Sequence, residues 1–330
     1  GTRSRPTMEE VCSRPATVSP TWWRSALIFQ RRSHLPTKIY AESDVLVAIF
    51  GPTSARAFGH LAMSETIGQS NNRPTRPAWL EVDLGQLAEN FRLIRADAPD
   101  GLAIGSVVKD AAYGHGAVEV ARVALGQGAA CLLVSNLDEA AELRNAGITA
   151  PILLMGERME SELPACLEFG LTLAIGNAPI AEAASRLASS LGQALSVHVK
   201  IDTGMSRYGA RWDASLGLVE KIASLPGLQL DGMFSHFSMS DELDKSFARE
   251  QLGRLRAACS AVEQAGLTVR CRHICNSGGF LDLPEAHLDM VRIGLLAIGV
   301  FPSQVCRRID GIEPVGTLKT RLAVVRDIRK

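Results

Sequence analysis

From Ala78 onward the chain alternates between two hydrophobic patterns. Short apolar runs occur at Leu102–Val108, Cys131–Val134, Pro151–Met155, Leu171–Ile175, Val197–Ile201, Leu230–Phe234, His273–Cys275 and Met290–Ile293. Their length and continuity predict buried parallel strands. Between them lie amphipathic stretches such as LDEAAELRNAG, APIAEAASRLASSLG and DKSFAREQLGRLRAACSAVEQAG, which predict helices. Gly147 and Gly266 stand where helices end. Ahead of the first run, AWLEVDL reads as a strand, and Leu84 to Arg95 as a helix with Leu84, Leu87, Phe91 and Ile94 on one face. Eight strands, nearly all separated by helices, predict a (β/α)8 barrel of the TIM type. A doubly wound sheet is the alternative, but no G-x-G-x-x-G follows the first run.

Residues 1–62 carry no such period. They are rich in Arg and Ser and poor in acids, and read either as translated leader sequence upstream of Met63 or as a transit peptide. The first reading is preferred, with poor packing expected, and residues 63–76 read as a polar linker. The barrel is expected over 77–310, and 311–330 as the incomplete start of a C-terminal β domain. The 330 residues hold 35 Lys plus Arg against 35 Asp plus Glu, so the chain offers no electrostatic footprint for nucleic acid or an anionic membrane. No apolar run approaches the roughly 20 residues of a membrane span. Seven scattered cysteines without a C-x-x-C pair read as reduced core residues of a cytoplasmic protein. His236 and His273 stand on different strands without a carboxylate motif, so no metal is expected.

In such a barrel, chemistry gathers where strands end. The first strand ends in Lys109 with AYGHG, the fifth in KIDTGMSRYG (Lys200 to Gly209), and the sixth in FSHFSMSDE with His236. The seventh ends in HICNSGG, with His273, Asn276 and Ser277, and the eighth in MVRIG, with Arg292 and Gly294. Every one offers a polar or cationic group. Together they suit an anionic, aromatic, phosphorylated cofactor, with Ser277 and the Gly294 amide as a phosphate site.

The ordered set VVKDAAYGHG, KIDTGMSRYG, HICNSGG and DMVRIG, with PAWLEVDLGQLAENFRLIR before it and GTLKTRLAVV after it, resembles the alanine racemase family. The likeness runs from about Pro77 to Lys330. It implies an N-terminal barrel, a C-terminal β domain and pyridoxal 5′-phosphate as cofactor. The implied reaction interconverts L- and D-alanine, supplying D-alanine for peptidoglycan, in a cytoplasmic homodimer. By this resemblance Lys109 forms a Schiff base with the cofactor aldehyde and, once freed, moves the Cα proton on one face. Arg292 faces the pyridine nitrogen and, staying cationic, weakens the ring as an electron sink. Arg207 reaches the phenolic oxygen, His236 lies near the ring, and Asn276 positions the loop or the ring edge. His273 is read either as holding Arg292 from behind or as a core histidine. Tyr113 orients the lysine or the phosphate side, or is a packed structural tyrosine. Lys200 beside Arg207 is a repulsive pair, and the family resemblance implies carbamylation of Lys200. One departure stands out: KDAA replaces the family's K-A-[ND]-A. In an extended chain that exchange would turn the Asp110 carboxylate away from its usual direction.

The resemblance also implies a second proton-transfer group, a tyrosine of the C-terminal domain reaching the partner's site. The chain has only Tyr40, Tyr113 and Tyr208, and is expected to be a fragment whose racemase activity is impaired. A broad-specificity racemase is a second reading, a residual cofactor-binding protein a third, and a decarboxylase of the same fold a weaker one.

Overall fold

The structure, a computed structural model, describes residues 38–42, 45–49 and 77–326. Strands β1 (Lys38–Glu42), β2 (Val45–Ile49) and β3 (Ala78–Asp83) form an antiparallel sheet, extended on the far side of β3 by the last described strand, Gly316–Thr320. That last strand pairs antiparallel with β3, Gly316 opposite Val82 and Thr320 opposite Ala78. The strands β1 and β2 lie within the segment expected as a leader. The rest of that segment and the linker, residues 63–76, lie outside the described residues.

Helix α1 (Leu84–Asp97) begins where the Asp83 carboxylate accepts from the Gln86 amide at 2.9 Å. It buries Leu87, Phe91 and Ile94, the face its sequence predicts, and also Asn90. Asn90 Nδ2 donates to Ala297 O (2.9 Å) and Glu313 O (2.8 Å), pinning α1 to the segment that leads out of the barrel.

All eight barrel strands are present: β4 (Ala103–Val107), β5 (Cys131–Val134), β6 (Ile152–Leu154), β7 (Thr172–Ile175), β8 (Leu195–Asp202), β10 (Leu228–Phe234), β11 (Cys271–His273) and β12 (Met290–Ile293). A two-residue strand, β9 (Ala210–Arg211), pairs only with β8. The remaining neighbours are parallel, in the order β11-β10-β8-β7-β6-β5-β4-β12. Backbone bonds from Asp289 N–H to Arg272 O (3.1 Å) and from Arg292 N–H to Cys275 O (3.0 Å) close the ring between β12 and β11. Helices α2 (Ala117–Gly126), α3 (Leu137–Asn145), α4 (Leu163–Glu168), α5 (Ala178–Ser190), α6 (Leu216–Ser224), α7 (Ser246–Gln264) and α8 (Ser277–Asp282) return the chain between strands. Asn136 and Asn177 cap α3 and α5 by accepting from Glu139 N–H and Ile180 N–H. Gly147 and Gly266 end α3 and α7 at φ 79° each, a left-handed conformation that suits glycine. None of the described helices is long and apolar enough to cross a membrane.

The two-residue alternation of the strands sorts side chains onto two faces. Ile104, Leu132, Val134, Ile152, Leu154, Leu173, Val199 and Ile293 pack outward against the helices. Ala103, Val107, Cys131, Leu133, Leu153, Cys271 and Met290 form a separate, smaller core within the barrel. Fully burying one such Leu side chain contributes roughly 1.5–3 kcal/mol, so the two layers together fix the scaffold on which the strand ends sit.

The seventh strand ends two residues earlier than the apolar run predicts. The Ser235 and Ile274 carbonyls, which a longer ladder would use, both accept from Arg292 Nη2 at 3.0 Å. A side chain replaces the ladder there, and the chain is free to turn toward Asn276.

Candidate active site

At the C-terminal mouth of the barrel is a cavity of about 550 Å³, lined by residues from every strand end but that of β7. Nine of the ten residues singled out from the sequence border it: Lys109, Tyr113, Lys200, Arg207, His236, Asn276, Ser277, Arg292 and Gly294. The tenth, His273, is fully buried behind Arg292. Tyr208, Phe234, Ser240 and Asp241, which lie within the quoted strand-end motifs but were given no role, also border the cavity, as does Glu157, which lies outside them.

Lys109 follows β4 at the start of a turn that is not extended. Asp110, Ala111, Ala112 and Tyr113 have φ of 52–55°, a full turn of left-handed helix built from non-glycine residues. Each costs roughly 1–2 kcal/mol against the right-handed form. The surroundings hold it: the Asp110 amide donates to Glu139 Oε1 at 2.9 Å, the Gly116 amide to Ala111 O at 2.8 Å, and Ala112 is fully buried. This winding settles where the exchanged residues of KDAA point. The Asp110 carboxylate lies back against Lys109, Oδ2 3.2 Å from Nζ, and the Ala111 methyl is exposed.

The turn delivers the Tyr113 ring against Gly294. A Cβ on Gly294 would stand 2.5 Å from Tyr113 Oη and 3.0 Å from Cε2, so only glycine permits the approach. Ser277 Oγ accepts from the Gly294 and Leu296 amides at 3.2 and 3.3 Å. Tyr113 Oη, Ser277 Oγ and the Gly294 amide thereby converge on one corner. Asn276 shapes its edge, its Oδ1 accepting from the Gly279 amide (2.9 Å) and Ser240 Oγ (2.8 Å). Burial pushes the Tyr113 hydroxyl up to about 12, with Asp110 adding to it, so the group remains a neutral donor.

The opposite side is cationic. Arg292, 2 % exposed, donates Nη1 to His273 Nδ1 and Nη2 to His236 Nδ1, each at 2.9 Å. Burial lowers Arg292 to about 10, which leaves it charged at neutral pH. His236 is driven well below the ordinary histidine value by burial and then by Arg292, so it is neutral. Because its Nδ1 accepts from an arginine, the His236 proton resides on Nε2. Lys200, also 2 % exposed, donates Nζ to Ile201 O at 2.8 Å. Burial brings it down to about 8, with Arg292 and Arg207 acting in the same sense and Asp202 against them. Arg207 is exposed at the rim. Glu157, half-buried, accepts from Asn177 Nδ2, and burial raises its carboxyl. Tyr208 donates its hydroxyl to Met155 O, and burial raises it to about 12.

These features suit a phosphorylated pyridine aldehyde. A cradle that a Cβ would fill lies at one corner, an amine at the mouth, and a fixed guanidinium opposite.

Comparison with known proteins agrees with the geometry. Residues 82–302 match the family model described as alanine racemase, N-terminal domain. The chain is 42 % identical over 253 residues to an alanine racemase of Desulfovibrio desulfuricans, covering 77 % of this chain and 68 % of that protein. It is 36 % identical over 257 residues to one of Clostridium tetani, covering 77 % and 66 %. Among solved structures it resembles an alanine racemase of Clostridium difficile 630 in complex with cycloserine (TM-score 0.75, 32 % identity, 77 % of this chain and 71 % of that one). It also resembles one of Streptomyces coelicolor A3(2) (TM-score 0.71, 34 % identity, 76 % and 68 %). The match spans about two thirds of the length of these relatives.

Proposed function

This chain belongs to the alanine racemase family, whose members are pyridoxal-phosphate-dependent isomerases, and from that premise we propose how its own residues bring about the interconversion of L- and D-alanine. The observation that carries the reading is the convergence of Lys109, the Tyr113–Ser277–Gly294 corner and Arg292 on one cavity. The corner would hold the phosphate through the Tyr113 and Ser277 hydroxyls, the Gly294 amide donating to Ser277 Oγ and so leaving the serine proton free to point at the phosphate. Lys109 would hold the cofactor through its aldehyde. Arg292 would face the pyridine nitrogen and, as a fixed cation, discourage its protonation. Bound pyridoxal phosphate withdraws electrons from the substrate Cα and so acidifies its proton. The Lys109 amine, when free, would move that proton on the lysine's face.

Arg207 and Lys200 serve the phenolic-oxygen side. A lysine whose pKa lies near 8 keeps a useful fraction of free amine near neutral pH, the form that reacts with carbon dioxide, and Lys200 carries a carbamate that pairs with Arg207. Asn276 positions the ring edge. As the family resemblance implies, the group acting on the opposite face is supplied by a second subunit rather than by Tyr113, Tyr208 or His236 of the same site. Two observations support this. Tyr113 is pressed against Gly294 and Tyr208 is tied to Met155 O, both with raised pKa values. His236 presents an N–H rather than a lone pair to the cavity. The test is chiral analysis of L-alanine incubated with chain and cofactor in deuterated water. Formation of D-alanine labelled at Cα, absent in Lys109→Ala, is expected. Unlabelled L-alanine with a fully bound cofactor would refute the reading.

A further inference from the structure

Behind Arg292 the barrel interior holds a line of two imidazoles, and the second, His198, has no role so far. Both His273 and His198 are fully buried. Arg292 Nη1 is 2.9 Å from His273 Nδ1, and His273 Nε2 is 2.9 Å from His198 Nδ1. Donor chemistry fixes every proton in this line. Arginine only donates, so His273 Nδ1 must present its lone pair. The neutral His273 ring therefore carries its proton on Nε2 and gives it to His198 Nδ1. His198 in turn carries its proton on Nε2, where none of the described residues accepts it. Neither ring escapes by taking a second proton, since burial and the Arg292 charge drive both well below the ordinary histidine value.

The scaffold makes room for this arrangement. A Cβ on Gly232 would come within 2.5 Å of His198 Nδ1, so the neighbouring strand carries glycine where His198 stands. Phe234 stacks on His273, centroids 4.9 Å apart and planes 5° apart, and prevents it from tilting. A buried donor left without an acceptor is a stability cost. Two apolar side chains would fill the same space without it, so the pair is explained by what it holds.

We propose that His198 is a positioning residue: by accepting the His273 proton it keeps the His273 lone pair aimed at Arg292, and so fixes the direction in which the guanidinium spans the cavity. The proposal rests on the reading that Arg292 faces the pyridine nitrogen of bound pyridoxal phosphate. Without His198, the His273 N–H would be buried and unpaired, and the ring would gain by turning away from Arg292 to find another acceptor.

Two measurements test it. The first uses the unaltered holoenzyme with nitrogen-labelled histidine, read by ring-nitrogen NMR across neutral pH. His198 and His273 are expected as non-titrating Nε2–H tautomers. A proton on Nδ1 of either ring overturns the proposal. The second follows the pyridine-nitrogen signal of labelled pyridoxal phosphate bound to Arg292→Leu, His198→Leu and His198→Asn. Arg292→Leu should shift it strongly. His198→Leu should shift it part of the way in the same direction. His198→Asn, whose amide oxygen can accept near the place of Nδ1, should return it toward the unaltered value. A shift in Arg292→Leu without one in His198→Leu defeats the proposal alone. No shift in Arg292→Leu defeats the assignment of Arg292 to the ring, and the proposal with it. Should His198→Leu fail to fold, the tautomers of the unaltered chain decide.

Discussion

Replacing Gly294 by alanine probes the corner proposed to hold the phosphate at one atom. The new methyl would meet Tyr113 Oη at 2.5 Å and Cε2 at 3.0 Å. Backbone relaxation is restricted, because the Gly294 amide is already bound to Ser277 Oγ at 3.2 Å. The tyrosine ring has to retreat and its hydroxyl leaves the corner. A hydrogen bond to a charged group contributes about 1.5–3 kcal/mol. At 1.4 kcal/mol per tenfold, the expected loss in cofactor affinity is about 10- to 150-fold. Tyr113→Phe should lose a similar amount, since it removes the same hydroxyl without the clash. The double variant should lose little more than either single one, because deleting Oη removes the 2.5 Å contact. The assay is a cofactor titration of all four proteins by absorbance, read as a double-mutant cycle. Unchanged affinity in Gly294→Ala, or losses that simply add, would refute the argument that this glycine exists to admit Tyr113.

Ala111→Asn should raise stability by about 1 kcal/mol, because asparagine tolerates the left-handed region in which alanine is strained; on a domain of this size that is a rise in Tm of about 2–4 °C. Lys200 should make stability rise with pH. Below about pH 8 both folded and unfolded chains hold its proton and the folded one bears the full cost of burying the charge. Between about 8 and 10.5 the folded chain has released the proton while the unfolded chain keeps it, so the cost fades; it is gone above 10.5 and amounts to roughly 3 kcal/mol in all. Lys200→Met should abolish that alkaline rise in denaturant titrations carried out free of carbon dioxide. Incubating the unaltered chain with labelled bicarbonate should place a carbamate signal on Lys200 that Lys200→Met lacks.

The barrel can be read from the sequence because each strand is a short, bounded apolar run and each helix keeps its period and its caps. The residues that border the cavity follow, since strand ends are where such a barrel collects polar groups. Two features do not show in the sequence, and a third shows only weakly. The left-handed turn at Asp110–Tyr113 is imposed by its partners, Glu139 above all, and four ordinary L-residues carry no local signal for it. Asn90 hides among the helix-face leucines because its partners, Ala297 O and Glu313 O, lie more than two hundred residues away. His198 leaves a faint trace. It stands two positions before Lys200, on the inward face of a strand whose alternate positions, Val197, Val199 and Ile201, are apolar and face the helices.

The central claim is that Lys109 is the residue to which the cofactor attaches. Borohydride reduction of the chain saturated with pyridoxal phosphate, followed by peptide mapping, tests it directly. The account predicts a single stable adduct on Lys109, lost in Lys109→Ala while the fold persists. An adduct on Lys200 or any other lysine in place of Lys109 would contradict it.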